Sequence, residues 1–417
     1  MKILILSIGS RGDMEPFLAI AKIMKDNGHQ VMCVFPAQFS QLAKDTNVDF
    51  TPLSGDFIEM MNSDEGVNIM GRKGTIFTQF RALWNLYKKS LKLQDQLVKE
   101  QKEIINSFLP DRVVHNGKCV YCYLWGIQNP GKATLISPAP GLVHPVEDFP
   151  SIGFKKNLGK RLNRITYSIL NYFIVQSISS GQKQYMKQMG ITKSQVKQYL
   201  LTCKMGFSVS PSLFTRPTYW PENAQVLGYH ERDKQVNWQP SKELEKFLDS
   251  HEKILLLTFG SMVNSKPEQN TKLFMDILQK HKIPTLINTF AGGLVPLENY
   301  DCSLFYFVEQ IPYEWIMPKV YGVIHHGGSG TTHMCLKYAC VNMIIPHIVD
   351  QFLFNNIISS NKFGPKGLPI NKLNYNQLEK LILDLYATKS YKSNVQNISQ
   401  IMQNENFTDK LISFIIN

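Results

Sequence analysis

The chain carries a short glycine-rich turn between histidines, and its residue types suit anion binding. It reads IHHGGSGTTH from Ile324 to His333, directly after an apolar run typical of a buried strand. Glycines let backbone amides approach a ligand closely, and the free N–H groups of a helix beginning near Thr331 carry partial positive charge. The turn therefore predicts a site for a phosphate-like anion.

Other interpretations of this turn fit less well. It lacks the lysine of G-x-x-x-x-G-K-[ST] and the spacing of G-x-G-x-x-G, so neither a P-loop nor a dinucleotide fingerprint is present. Zinc is disfavoured because adjacent histidines diverge, and because no carboxylate follows His333 or His347 at a familiar ligand spacing. A purely structural turn stays open as the alternative.

Alternating strands and helices must position this turn. Apolar runs bounded by turn residues predict strands, and three- and four-residue spacing of apolar side chains predicts helices. The first half reads KILILSIG (strand, 2–9), FLAIAKIMKDNG (helix, 17–28) and QVMCVFP (strand, 30–36). The second half repeats the order with KILLLTFG (253–260), a helix over 270–281 and IPTLINTF (283–290), followed by strands at LFYFV, YGVIHH and NMIIPH.

Such repeats build parallel sheets, so the expected fold class is α/β with two doubly wound, Rossmann-like domains facing across a cleft. The length of 417 residues suffices for two domains with separate cores. Ligands of such sheets bind at the carboxyl ends of the strands. We expect domains at 1–210 and 241–395, a proline-rich linker at 211–240, and a C-terminal helix at 396–417 that packs back towards the first domain.

Composition narrows the class of protein. A content of 43% hydrophobic and 19% charged residues is typical of a folded soluble chain. No apolar stretch reaches the ~20 residues of a membrane span, and KILILSIG has no cleavage site behind it, so we expect a cytoplasmic protein. The seven cysteines stand mostly among apolar residues, which favours reduced core thiols over a zinc or redox role for Cys119 and Cys122.

The excess positive charge lies in one segment. The formal net charge is +12, and residues 151–204 contain ten lysines and arginines without any aspartate or glutamate. Within it, helical spacing predicts an apolar face made of Leu158, Leu162, Ile165, Ile169 and Phe173. This helix either contacts the inner face of an anionic membrane as a peripheral element or is an ordinary solvated helix. Nucleic acid is disfavoured because no recognition motif is present.

Three motifs in register resemble one known family. The run VYGVIHHGGSGTTHMCLKYACVNMIIPHIVDQFLFNN (320–356) resembles the donor-binding segment of inverting, nucleotide-sugar-dependent glycosyltransferases of the GT-B fold. The resemblance is to the sterol glucosyltransferases and the bacterial antibiotic-aglycone glycosyltransferases of the UDP-glycosyltransferase superfamily. GSRGDMEP (9–16) is similar to the first loop of that group, and FGPKGLPINKL (363–373) to the stretch that follows its Asp-Gln.

The resemblance implies a donor site in the second domain. The donor pyrophosphate would be bound by His326, the amides around Gly328, Gly330 and Thr331, and Ser261, with Gly260, Ser10 and Arg11 as further candidates. Asp350 and Gln351 would bind hydroxyls of the transferred sugar, and the uracil or thymine base would lie near Val308. His325 is expected to be structural. His144 and Phe149 resemble the segment near the acceptor pocket, with an ordinary surface loop as the alternative.

The resemblance also implies chemistry without a metal. A departing nucleoside diphosphate releases negative charge, which a helix amino terminus and a histidine can stabilise. Glycosyltransferases of the GT-A type use Asp-x-Asp to hold a divalent ion for this task, and the chain contains no Asp-x-Asp. We predict no metal and no cofactor, only a UDP- or dTDP-sugar as co-substrate.

An inverting transfer needs a base that takes the proton of the acceptor hydroxyl. In the plant branch of the superfamily the first loop reads Gly-His-x-x-Pro, and its histidine is the base. Here the same frame is Gly12-Asp13-Met14-Glu15-Pro16, which puts Asp13 in that place. The alternative is that Asp13 only caps a helix starting near Met14, with Glu15 as the nearest substitute base.

Together these features predict an inverting glycosyltransferase. It would move a hexose or deoxyhexose from a UDP- or dTDP-sugar to a hydroxyl of a lipophilic acceptor such as a sterol, polyketide, carotenoid or lipid. Two alternatives remain, a nucleotide-sugar epimerase of the same fold and a non-catalytic nucleotide-sugar-binding protein. A Rossmann oxidoreductase is disfavoured for want of the dinucleotide fingerprint.

Overall fold

The computed structural model describes residues 1–54, 93–154, 157–232, 238–348 and 350–417. The chain divides into two compact units, Met1–Lys234 with Asn406–Asn417, and Gln235–Glu405. Each unit contains one parallel sheet flanked by helices, so the predicted α/β, Rossmann-like class is confirmed.

The first unit is built on a sheet of order β3-β2-β1-β4-β5-β6-β7. Its central strand β1 is buried almost throughout because helices cover both faces, which suits its uninterrupted apolar sequence. The strands are β1 (Lys2–Leu6), β2 (Gln30–Pro36), β3 (Asp49–Leu53), β4 (Arg112–His115), β5 (Ala133–Ser137), β6 (Lys204–Phe207) and β7 (Ala224–Val226).

Helix α1 (Arg11–Asp26) packs on this sheet through the side chains that its spacing predicted. Phe17, Ile20 and Met24 are buried in one cluster with Ile3 and Ile5 of β1. The helix begins at Arg11, earlier than the predicted start near residue 17, because Ser10 occupies the cap position. The remaining described helices of the unit are α2 (Ser40–Lys44), helical residues 93–108, α3 (Val120–Gln128), α4 (Lys160–Gly181), α5 (Lys183–Gln188) and α6 (Lys193–Thr202).

The segment predicted as a linker, 211–240, contributes its first part to the sheet. Strand β7 pairs with β6, and Trp220 packs against Phe207 with ring centroids 4.8 Å apart. The first unit therefore continues past the expected boundary at residue 210. Residues 233–237 of that segment, like Lys155 and Lys156 of the basic segment, lie outside the described residues.

The second unit has a sheet of order β10-β9-β8-β11-β12. The strands are β8 (Leu255–Thr258), β9 (Thr285–Asn288), β10 (Phe305–Val308), β11 (Gly322–His325) and β12 (Val341–Ile344). The helices are α7 (Lys242–Asp249), α8 (Pro267–Lys280), α9 (Tyr313–Ile316), α10 (Ser329–Lys337), α11 (Gln351–Ser360), α12 (Tyr375–Ala387) and α13 (Lys389–Gln403).

Two helices stand where one C-terminal helix over 396–417 was expected. Helix α13 belongs to the second unit, whereas the final helix α14 (Thr408–Ile416) returns to the first unit. There Leu411 and Ile415 join the cluster under α1.

Both sheets reverse their strand order at equivalent points. In the first unit the reversal falls between β1 and β4, and in the second between β8 and β11. Loops that leave neighbouring strands at such a point diverge and leave a crevice, where ligands of doubly wound sheets bind. The loops to inspect are therefore those after β1, β4, β8 and β11.

Two further sequence predictions concern helices and thiols. Six of the seven cysteines are buried and unbridged, as expected for core thiols, and Cys302 is exposed. Among the helices that the structure describes, none combines the length and apolarity that crossing a bilayer requires.

Candidate functional site

The loop after β1 fixes the carboxylate of Asp13 at the start of α1. One carboxylate oxygen, Oδ2, accepts hydrogen bonds from the Ser10 backbone N–H at 2.8 Å and from its hydroxyl at 3.2 Å. Asp13 is therefore in the first turn of the helix, three residues after the cap, and not at the cap itself. Its side chain is 23% exposed, so the carboxylate is positioned by the protein yet open to a ligand.

The other oxygen of Asp13 contacts a residue from the loop after β4. Lys118 donates from Nζ to Oδ1 at 2.9 Å. Gly9 lets the backbone pass beside this pair, since a Cβ atom there would lie 2.2 Å from Oδ2 and 2.5 Å from the lysine Nζ. The loops after β1 and β4 thus meet at one ion pair, at the reversal of strand order.

Asn116 ties the same two loops together below the ion pair. Its buried amide donates to the Ser7 hydroxyl at 2.9 Å and to the Ile8 carbonyl at 2.7 Å. Ser7 in turn donates to the backbone carbonyl of Asp13 at 2.9 Å. These bonds fix the distance between Asp13 and Lys118 without involving either charged group.

Glu15, the nearest alternative base in sequence, is held between two arginines. Arg232 donates to its carboxylate from Nε at 2.7 Å, and Arg11 does so at 3.1 Å. The Arg232 side chain is only 5% exposed, so removing Glu15 would take from a buried cation the carboxylate that pairs with it among the described residues. The arrangement assigns Glu15 and Arg11 to a structural ion pair in this conformation.

In the second unit, His326 lies between the ends of β8 and β11. The residue is 8% exposed, and its Nδ1 has no hydrogen-bond partner among the described residues. A Cβ atom at Gly260 would lie 2.9 Å from its Cε1, and one at Gly328 would lie 2.5 Å from its Nε2. Two glycines therefore make room for the imidazole in two loops that leave neighbouring strands.

Helix α10 begins immediately after this histidine. Gly328 is its cap residue, and Ser329 is its first residue, two positions before the predicted start at Thr331. Gly328, Gly330 and Thr331 are half-buried in the first turn, where helix N–H groups lack partners within the helix. The structure thus brings His326 and this amide group together, as the anion-site prediction required.

The turn after β8 has its own internal support. Gly260 adopts a φ of +56° and donates its N–H to the Thr258 hydroxyl at 3.2 Å. That hydroxyl also bonds the phenol of Tyr313 at 2.9 Å. Ser261 follows in the turn with its side chain exposed.

The histidines of this region are uncharged at neutral pH. Burial lowers the pKa of His326 well below its ordinary value, and the neighbouring His325 and His347 lower it further. Burial also lowers the pKa of His325 and of His347 to about 4. His325 is fully buried with Nε2 bonded to Asn342 at 3.1 Å and Nδ1 accepting from the Gly327 N–H at 3.2 Å, a structural arrangement.

Asp350 and Gln351 lie at the start of α11. The Gln351 side-chain oxygen accepts from the backbone N–H groups of His347 at 2.7 Å and Ile348 at 3.1 Å. Gln351 is 3% exposed, whereas Asp350 is half-buried at the helix cap position. The oxygen of Gln351 therefore organises the loop after β12.

The remaining candidates occupy different surroundings. Val308 ends β10 and is half-buried. His144 and Phe149 are both buried in an aromatic cluster of the first unit, where their rings lie 5.9 Å from Trp220 and Phe214 respectively. Burial, and then the nearby Arg216, lowers the pKa of His144 to about 4. Neither residue lies on the exposed surface loop that was the alternative.

Sequence reasoning missed Lys118, Asn116 and Arg232. The first two follow β4 directly, so their place at the reversal of strand order could have been noticed once that strand was assigned. Arg232 carries no local signal. Within the described residues, no three His, Cys, Asp or Glu side chains are grouped as metal ligands.

Known proteins match the first part of the chain as a domain and nearly the whole chain as relatives. Residues 3–122 match the glycosyltransferase family 28 N-terminal domain. Over 97% of its length the chain is 26% identical to a sterol 3-beta-glucosyltransferase of Arabidopsis thaliana, and over 98% it is 26% identical to one of Vanderwaltozyma polyspora. The chain spans 63% and 34% of the lengths of these two relatives.

Solved structures resemble the whole chain at low identity. The glycotransferase of kitacinnamycin superposes with a TM-score of 0.70 at 12% identity, covering 99% of this chain and 97% of its own. The glycosyltransferase VinC in complex with dTDP gives a TM-score of 0.63 at 13% identity, covering 100% and 98%. These likenesses define the GT-B fold, which confirms the predicted fold class.

The sequence relatives narrow the class further. The chain is similar in sequence to sterol 3-beta-glucosyltransferases, one of the groups that the three motifs indicated, and its first part matches a glycosyltransferase domain.

Proposed function

We propose that the chain is an inverting glycosyltransferase that moves a hexose or deoxyhexose from a UDP- or dTDP-sugar to a hydroxyl of a lipophilic small molecule. One observation carries the proposal: a buried, uncharged imidazole with an unpartnered nitrogen lies at the amino terminus of a helix, between two glycine turns. The names of the relatives, sterol 3-beta-glucosyltransferases, favour a sterol-like acceptor among the lipophilic classes.

The second unit would bind the donor. A pyrophosphate accepts hydrogen bonds, and it gains negative charge as the bond to the sugar breaks. The imidazole of His326, the first-turn amides from Gly328 to Thr331 and the Gly260-Ser261 turn supply donors that need no rearrangement as that charge grows. VinC, of the same fold, holds a nucleoside diphosphate, which is the ligand class proposed here.

The sugar would contact the start of α11. Because the Gln351 oxygen accepts two backbone hydrogen bonds, its amide nitrogen would donate to a sugar hydroxyl. The Asp350 carboxylate would accept from a second hydroxyl. The base would lie along the end of β10 near Val308.

The first unit would activate the acceptor. Asp13 would take the proton as the acceptor oxygen attacks the anomeric carbon, a new carbon–oxygen bond forms, and the bond to the diphosphate breaks. An acceptor hydroxyl must approach a carboxylate whose Oδ1 contacts Lys118, so the ammonium would move aside or share that oxygen. Glu15 would not substitute, because two arginines already hold it.

Incubation with donor alone, then with donor and a panel of sterols and other hydroxylated lipids, tests the proposal against its alternatives. A glycosyltransferase gives glycosylated acceptor by mass spectrometry and, by NMR, an anomeric configuration opposite to that of the donor. Conversion of the donor to an isomeric nucleotide sugar without acceptor would identify an epimerase. Binding of the donor without any product would identify a non-catalytic binding protein.

A further inference from the structure

Helix α4 presents an apolar side to solvent. Seven large apolar side chains, which we call the α4 face, are each at least 38% exposed: Phe154, Leu158, Leu162, Ile165, Ile169, Tyr172 and Phe173. On the helix their spacing of three and four residues places them on one side. A contiguous exposed apolar surface of this kind marks an interaction site.

The other side of α4 packs on the first unit through polar groups near its start and through the apolar Val175 and Ile178 near its end. Asn163 and Thr166 are buried. The Asn163 amide donates to the Glu147 carbonyl at 2.8 Å, and the Thr166 hydroxyl accepts from the Ser151 N–H at 2.8 Å. A surface helix ordinarily buries its apolar residues, whereas α4 buries Val175 and Ile178 but leaves the larger stripe over 162–173 exposed. The hydrogen bonds of Asn163 and Thr166 fix the rotation of α4 so that the α4 face points to solvent.

The charge around the α4 face is positive. Lys193 lies over the ring of Tyr172, with Nζ 5.7 Å from the centroid, and Arg161 is exposed in the first turn of α4. Glu147 pairs with Arg164 at 3.1 Å and with Lys160 at 4.0 Å, which offsets part of the charge at that end. The segment 151–204 itself contributes ten basic and no acidic residues.

We propose that the α4 face docks on an anionic lipid bilayer, with the helix lying in the plane of the membrane surface. A 22-residue helix is ~33 Å long, and the stripe follows about half of that length, over residues 162–173. Leucine, isoleucine and phenylalanine side chains would enter the boundary between headgroups and acyl chains, while Arg161 and Lys193 bind anionic headgroups. The face offers one hydrogen-bonding group, the Tyr172 hydroxyl, which suits a bilayer better than a polar protein partner.

This inference does not depend on the transfer reaction, because vesicle binding is measured without donor or acceptor. Failure of the glycosyltransferase proposal would leave it intact. Failure of membrane docking would leave the reaction proposal intact.

Sedimentation with vesicles tests the docking. The full chain is expected to bind vesicles of phosphatidylcholine and phosphatidylserine at low salt, and to bind vesicles of phosphatidylcholine alone at least about tenfold more weakly. The triple variant Ile165→Ser, Ile169→Ser, Phe173→Ser should lose at least about tenfold of the binding. Arg161→Glu with Lys193→Glu should abolish the preference for the anionic vesicles.

A matched control changes exposed apolar residues of the second unit, Leu383→Ser and Ile401→Ser, and should bind vesicles like the unchanged chain. Circular dichroism and thermal unfolding establish that each variant is folded. Equal binding by the triple variant and the control, or no binding by the unchanged chain, would overturn the proposal. So would a dimer in solution that the triple variant abolishes, because a second copy would then be the occupant.

Discussion

The two units place chemically opposite groups at equivalent points of the same sheet topology. At the ends of β1 and β4 the side chains are ionic, with Asp13 paired to Lys118 and Glu15 to Arg232. At the ends of β8 and β11 they are neutral, with the buried imidazole of His326 beside backbone amides. The ends of β1 and β4, the ionic edge, present a carboxylate that is fixed by an ion pair. The ends of β8 and β11, the neutral edge, present hydrogen-bond donors without a full positive charge.

This difference suits the two halves of a group transfer. A base must already carry negative charge before the acceptor arrives, and the proposed base, Asp13, is held in an ion pair with Lys118. A site for a leaving diphosphate must receive negative charge without keeping a buried cation unpaired in its absence, which would be costly. A neutral imidazole and helix amides meet that requirement.

The largest expected effect comes from the ionic edge. Asp13→Asn keeps an oxygen that can accept from the Ser10 N–H, so the start of α1 should persist, but it removes the proposed base. Turnover should fall by roughly 10²–10⁴-fold. Steady-state assays of product formation measure the loss. The control Asp26→Asn removes an exposed carboxylate from the same helix, and turnover should be unchanged. A turnover near that of the unchanged chain would remove Asp13 from the mechanism.

The neutral edge should give the next largest effect. His326→Ala removes the proposed donor to the diphosphate, so kcat should fall by roughly 10²-fold or more, and nucleoside diphosphate should bind more weakly. His333→Ala provides a comparison, since His333 is also buried but bonds its ring to the Ser329 carbonyl at 2.7 Å. If both variants lost stability equally and neither lost diphosphate affinity specifically, the assignment of His326 to the diphosphate site would be wrong.

A smaller effect tests the space around His326. Gly260→Ala and Gly292→Ala both place an alanine at positive φ, +56° and +75°, so each should cost about 1–2 kcal/mol of stability. Only the Gly260 variant meets His326, at 2.9 Å, whereas nothing lies within 4 Å at Gly292. We expect diphosphate affinity to fall about tenfold in the first variant alone, as titration calorimetry would measure. Equal affinities in the two variants would contradict the packing argument.

Acid should weaken the fold through its buried histidines. Burial lowers the pKa of His325, His333 and His347 to about 4, below the value of 6.5 in an unfolded chain. Between those values the unfolded state binds protons that the folded state does not, so stability is complete above pH 6.5 and falls as pH falls towards 4. Each such histidine contributes about 1.4 kcal/mol per pH unit. Urea unfolding at pH 7.5, 6.5 and 5.5 should show this decline; constant stability would contradict it.

Removal of divalent metal ions is expected to have no effect on the transfer rate. If donors of the second unit stabilise the diphosphate, chelation with EDTA should leave the transfer rate unchanged. The rate is compared before and after dialysis against chelator. A loss that added Mg²⁺ or Mn²⁺ restores would show that a cation shares the role given to His326.

How far the sequence predicted this molecule depends on the distance between interacting residues along the chain. The strand QVMCVFP was assigned with its observed bounds because its apolar run ends at Gly28 on one side and at proline on the other. Helix α1 starts earlier than its apolar spacing predicts, because Ser10 with Asp13 three residues on forms a helix start that the apolar pattern does not include. Both signals are local.

The residues of the candidate site also divide into those that are close in sequence and those that are distant. His326 and the glycines after it are neighbours in sequence, so their grouping was predictable. Lys118 and Asp13 are 105 residues apart, and Arg232 and Glu15 are 217 apart. Those pairs depend on the strand order and on the chain that follows β7, which no local pattern contains.

The α4 face illustrates a third case. Helical spacing predicted the apolar stripe from Leu158 to Phe173, but spacing alone does not say which side faces the protein. That was decided by the hydrogen bonds of Asn163 and Thr166 to backbone groups before the helix.

The proposed reaction gives Asp13 and His326 separate roles, and calorimetric titration of UDP and dTDP into the unchanged chain and two variants tests that separation most directly. We predict that Asp13→Asn binds the preferred diphosphate as tightly as the unchanged chain does, whereas His326→Ala binds it at least about tenfold more weakly. Equal weakening in both variants, or no binding of either diphosphate to the unchanged chain, would contradict the account.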